Sequence, residues 1–127
     1  MDRFSLIIAG FAIFLIGAPV LNAQDGFPEG VTEAMVKDGQ AIFLGAGLCA
    51  VCHGMDGSGA IGPDLTDEEW LIGGGTYPEL VEQITKGVSM EEATNSMGLI
   101  MPARGGSAIT DDQVKAVAAY VWSISHN

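Results

Sequence analysis

Cys49, Cys52 and His53 stand in the pattern Cys-x-x-Cys-His. Two thiols three positions apart can each form a thioether to a vinyl group of one porphyrin, and the adjoining imidazole then reaches the iron as its proximal ligand. Covalent attachment of haem is the chemistry this spacing serves best. Other chemistries use the same residue types. A structural zinc ion takes about four protein ligands, commonly as two separated pairs, and the remaining Cys or His here is His126, beside the C-terminus. A redox dithiol belongs at a helix start in a βαβ context, whereas Cys49 follows Gly45-Ala46-Gly47 and no strand-like run comes after it. A structural disulfide suits an exported chain but leaves His53 and the downstream methionines without a role.

What surrounds the motif has to build a pocket from little material. The chain has 127 residues with 48% hydrophobic content, enough for one domain. Its start reads as a separate segment: Arg3 precedes an uncharged apolar run from Phe4, broken by Pro19 and closed by Leu21-Asn22-Ala23. This is the pattern of a secretory signal peptide over residues 1–23, cleaved after Ala23. An uncleaved anchor is the alternative, because Phe4–Leu21 is 18 uncharged residues long, borderline for spanning a bilayer. Export agrees with haem attachment outside the cytoplasm and predicts a periplasmic protein, held at the inner membrane only if that segment is retained. Asp2 and Arg3 cancel, so the rest of the chain carries the whole formal net charge of −11. Such a surface repels nucleic acid and anionic lipid, and it steers a basic protein partner toward it. The plainer reading is that acidity keeps a small exported protein soluble. A domain of this size also lacks a large core of its own, and a buried porphyrin would supply apolar surface.

Residues 24–30 form a Pro/Gly lead-in without periodicity, expected to be mobile, ahead of a domain over 31–127. Thr32 can cap a first helix running to about Leu44, with Gly39 in its middle marking a close backbone approach. After His53, glycines and Pro63 predict a loop to Leu65. Thr66-Asp67-Glu68-Glu69 reads as a capping box opening a short helical turn that carries Trp70 and Leu71. Thr76-Tyr77-Pro78-Glu79 reads as another, opening a helix from about Tyr77 to Lys86 that Gly87 stops. Ser89 to Gly98 is polar and without a clear period. Thr110-x-x-Gln113 caps a last helix in which Val114, Val117, Ala118, Val121 and Trp122 recur at helical spacing to about Ser125. No useful alternating pattern appears, so the expected fold class is all-α, with the first and last helices packed together around a haem.

These motifs, in this order, resemble the class I c-type cytochromes over nearly all of residues 31 to 126. Cys49, Cys52 and His53 match the attachment motif, and Gly39, Phe43 and Tyr120 resemble the residues where the family's first and last helices cross. Gly62-Pro63-Asp64-Leu65 resembles the loop whose proline carbonyl accepts a hydrogen bond from the proximal imidazole. Met101-Pro102 matches the loop that brings a methionine sulfur to the iron. Within the family, His53 to Gly59, Gly62 to Asp67, Trp70 to Gly74 and Val117 to Val121 are most similar to the cytochrome c domains of the haem subunit of cbb-type haem-copper oxidases. The likeness is to one domain, since such subunits carry two haems and an anchor. Two departures stand out: Ser89 to Ser96 reads as an insertion, and Arg104 stands where an aromatic often follows Met-Pro-Ala.

The resemblance implies one haem c with His/Met axial ligation. His53 is the first ligand and Met101 the sixth, with Met97 the next candidate and Met90 in the same polar insert; Met35 and Met55 are read as packing. Trp70 and Arg104 are candidates for contact with the propionates, ordinary packing being the other reading of Trp70. A six-coordinate iron offers no open position to a substrate, and thioether ligation favours the ferrous state. The expected function is a periplasmic carrier of single electrons between a donor complex or dehydrogenase and a terminal oxidase, not an enzyme in itself. The partner would be an oxidase, cytochrome complex or dehydrogenase presenting a basic patch. The alternatives are a permanent haem c subunit of an oxidase or of a quinoprotein dehydrogenase complex, and a haem sensor or peroxidase.

Overall fold

The structure, a computed structural model, describes residues 26–95 and 97–127. The expected leader and the first residues of the lead-in lie outside that range. Four α-helices follow in order: α1 (Glu33–Leu44), α2 (Cys49–His53), α3 (Tyr77–Lys86) and α4 (Asp111–Ser125), with a 3-10 turn over Ala103–Gly106. Among the described residues there is no strand, and one isolated antiparallel bridge joins Val88 to Met101.

The helix ends follow from local chemistry. Thr32 caps α1 by accepting from the Met35 N–H at 3.2 Å. The Glu79 carboxylate reaches back to the Thr76 N–H at 3.0 Å and its hydroxyl at 2.7 Å, and Pro78 occupies the first turn of α3. Thr110 and Gln113 exchange hydrogen bonds of 3.3 and 2.9 Å at the start of α4. The expected helical turn after Thr66 does not form. The Thr66 hydroxyl donates to Asp64 Oδ1 at 2.6 Å, and the Glu69 N–H is taken by Asp67 Oδ1 at 2.9 Å. With both partners engaged elsewhere, the loop stays irregular and delivers Trp70 as part of an extended wall.

The domain is held by α1 crossing α4. A β-carbon at Gly39 would collide with the Ala116 carbonyl and lie 2.9 Å from Tyr120 Cβ, so the glycine sets how closely the backbones approach. Beside the crossing, Phe43 and Tyr120 meet edge to face, with ring centroids 5.2 Å apart at 65°. Phe43, Val114 and Val117 are fully buried, and burying such side chains stabilises by about 1.5–3 kcal/mol each. Leu80 and Ile84 of α3 join the same core, and the Tyr77 hydroxyl donates to the Lys115 carbonyl at 3.3 Å. The end of the lead-in is tied in: Phe27 packs edge-on against Trp122 at 6.2 Å, and the Val31 N–H closes a turn on the Pro28 carbonyl at 3.0 Å. No helix among the described residues is long and apolar enough to cross a membrane.

Candidate functional site

The core does not close on the side of α2. A cleft of about 410 Å³ opens there, lined by residues from α2, the loops on either side of α3, α3 itself and the inner face of α4, a volume in the range of cofactor sites. Leu48 precedes α2 in a left-handed conformation (φ 57°), so the chain enters the helix abruptly. Within α2, positions i, i+3 and i+4 share one face, and Cys49, Cys52 and His53 all line the cleft. Cys49 is buried and donates to the Gly47 carbonyl at 3.4 Å. Burial pushes its thiol above the usual range, and the neighbouring Cys52 adds to the effect.

His53 is buried too, and its Nδ1 lies 2.9 Å from the Pro63 carbonyl. A carbonyl only accepts, so Nδ1 carries the proton and Nε2 presents its lone pair. Burial pushes the imidazole below its ordinary value, opposed by the same carbonyl, and the neutral ring that results is the form that ligates metal. The loop that brings Pro63 into place is stitched to α2: Gly62 donates to the Cys52 carbonyl at 2.7 Å and Gly59 to that of His53 at 2.8 Å.

In the same cleft, Met101 is half-buried and contributes to the lining with Pro102. Met97 and Met90 are 59% and 74% exposed and outside the cleft lining, and Met55 is likewise exposed. Trp70 lines the cleft, and its Nε1 is buried without a hydrogen-bond partner among the described residues. The indole sits against Gly75, whose position admits no β-carbon. An orphaned donor in an apolar cleft fits an anionic edge of a bound group, such as a haem propionate, since leaving it unpaired costs about 1–3 kcal/mol. Arg104 is directed elsewhere. Its guanidinium donates to the Ile109 carbonyl at 2.7 Å and pairs with Asp111, and it does not line the cleft. The sequence expectation of a propionate contact there is not supported by this placement, because the arginine serves to fasten the 3-10 turn to the start of α4. Conversely, sequence reading passed over Leu48, Ile61 and Ile100, exposed apolar side chains that line the cleft from irregular segments, where no periodicity marks them.

A cleft uniting two thiols, an oriented imidazole, a thioether and an orphaned indole N–H fits a covalently held haem. Residues 34–121 match the family described as cytochrome c oxidase, cbb3-type, subunit III. The chain belongs to this family. It is 42% identical over 98 residues to the cbb3-type oxidase subunit CcoP of Rubrivivax gelatinosus, covering 73% of this chain and 29% of that protein. It is 32% identical over 119 residues to subunit FixP of Bradyrhizobium diazoefficiens, covering 93% of this chain and 40% of that one. The chain thus spans well under half the length of these relatives. Its fold resembles that of cytochrome cL from Methylophaga aminisulfidivorans, with a TM-score of 0.54, 24% identity and coverage of 75% of this chain and 56% of that one. The architecture is the all-α class I cytochrome c fold, and a c-type cytochrome domain implies covalently bound haem c.

Proposed function

We propose that this chain is the haem c electron-transfer module of a cbb3-type oxidase, a role supported by one observation above the rest. Cys49, Cys52, His53 and Met101 line a single cleft in a chain of the cbb3 haem-subunit family. Cys49 and Cys52 attach one haem, His53 and Met101 ligate its iron, and Trp70 Nε1 donates to a propionate. When bound, the haem takes up and releases one electron at a time. Pro63 fixes the His53 tautomer and ring plane, while Leu80, Ile84, Val117 and Val121 keep water from that side of the cleft. The chain itself would offer the iron two ligands, His53 and Met101, so its task in this reading is electron transfer to an oxidase without bond chemistry of its own.

The relatives favour an oxidase-associated module over the freely diffusing periplasmic carrier that the sequence put first. Affinity purification of the full chain from native membranes tests the choice. Haem-stained chain in stoichiometric yield with the oxidase's catalytic subunit is expected. A haem-bearing chain that stays in the exported soluble fraction, free of oxidase, would return the carrier to first place.

A further inference from the structure

The insert between α3 and Met101 has no helical or strand pattern, yet it holds a defined shape. Val88 and Met101 exchange backbone hydrogen bonds of 2.8 and 3.1 Å, which brings the two ends of the insert together. The α3 side of this bridge is rigid, for a β-carbon at Gly87 would run into the Met101 carbonyl and stand 2.7 Å from the Ala103 nitrogen. On the loop side, one side chain holds the segment leading into Met101. Asn95 Oδ1 accepts from the Leu99 N–H at 2.9 Å and the Met97 N–H at 3.2 Å, and Asn95 Nδ2 donates to the Leu99 carbonyl at 2.7 Å. Its carboxamide thereby pairs with Leu99 as a peptide group of an adjacent strand would. The amide has one workable orientation, since a flip would set its NH₂ against two N–H groups. Leu99, Ile100 and Met101 are consecutive and all line the cleft, as does Asn95.

The geometry points to Asn95 as a positioning residue for the axial methionine. It fixes Leu99, and through the two residues that follow it holds the Met101 thioether against the cleft. Glu92, by contrast, braces the α3 end of the insert, accepting from Ser89 N–H and hydroxyl at 3.1 and 3.0 Å, and it makes no hydrogen bond to the 99–101 segment. The inference rests on Met101 being the sixth ligand.

The test uses the haem-loaded full chain, the ferric-thioether charge-transfer absorption band and titration with imidazole as an external ligand. Asn95→Ala removes the three hydrogen bonds that fix the segment leading into Met101, so imidazole should displace the thioether about tenfold more readily and the band should weaken. Glu92→Ala should bind imidazole as the unmodified protein does. Helix content should stay constant, because Asn95 lies outside all four helices. Should Asn95→Ala fail to accumulate, Asn95→Asp is read instead. It keeps an acceptor for both N–H groups but sets an oxygen against the Leu99 carbonyl, and an intermediate effect is expected. A band and imidazole affinity unchanged in the Asn95 variant overturn the positioning role alone. A band missing from the unmodified protein, or surviving in Met101→Ala, overturns the ligand reading and this inference with it.

Discussion

His53 can serve an iron through only one nitrogen, because the Pro63 carbonyl at 2.9 Å holds the proton on the other. The same residue-scale logic separates the methionines: a thioether ligates only from a position facing the site, and Met101 lines the cleft where Met97 stands 59% exposed. Replacing Met101 with Ala should therefore open a coordination position, lower the midpoint potential and let the ferrous protein bind carbon monoxide. Met97→Ala should leave carbon monoxide binding negligible. Absorbance titration of the two ferrous variants distinguishes them, and binding by unmodified protein at neutral pH would defeat the assignment and favour a sensor or peroxidase. Trp70 belongs to the same scale, since its Nε1 is a buried donor without a partner among the described residues, which an acceptor in the cleft would satisfy.

At the scale of elements, the α1–α4 crossing decides whether the cleft exists. Gly39→Ala should raise intrinsic helix stability by about 1 kcal/mol, yet the added methyl group meets the Ala116 carbonyl, backbone that cannot rotate away. Overpacking of this kind costs about 1–3 kcal/mol, so a net loss is expected in denaturant unfolding of the haem-loaded protein. A gain would mean that the helices cross with room to spare. The crossing was legible in advance, as were the bounds of α1, α3 and α4, because capping residues and helical spacing lie within a few positions of each other. The Thr66-x-x-Glu69 box was misleading for a reason outside its four letters: Asp64 takes the threonine hydroxyl first. Spacing singled out Cys49, Cys52 and His53, and the adjacent proline singled out Met101; all four line one cleft. Asn95 was not legible, since a carboxamide that pairs with backbone four residues away leaves no mark in composition or period. The pairing of Arg104 with Asp111 was not legible either, because it is set by how the 3-10 turn meets α4.

For the molecule as a whole, electrostatics follow from how its few cations are used. Lys37 pairs with Glu33, Lys86 with Glu92, Arg104 with Asp111 and Lys115 with Asp112. Pairs this exposed contribute little to stability. Their larger consequence is that each of these cations is neutralised by a neighbour, so none breaks up the field of a chain whose net charge is −11. Asp64, Glu69, Glu79 and Glu82 contribute to the cleft lining, with Lys86 alone of opposite sign. A partner that exchanges electrons through this face should thus be basic, and its approach should be accelerated by attraction over about 10 Å at moderate salt. The expected signature is a second-order electron-transfer rate with a small redox protein of net positive charge that falls about tenfold or more between low and physiological ionic strength. Glu69→Gln together with Glu82→Gln should flatten that dependence without moving the midpoint potential appreciably, because neither residue is placed to ligate or attach the haem. Stopped-flow kinetics across a salt series measures both. A rate indifferent to salt would reduce the acidic surface to a solubility feature, and one that rises with salt would require an acidic partner instead.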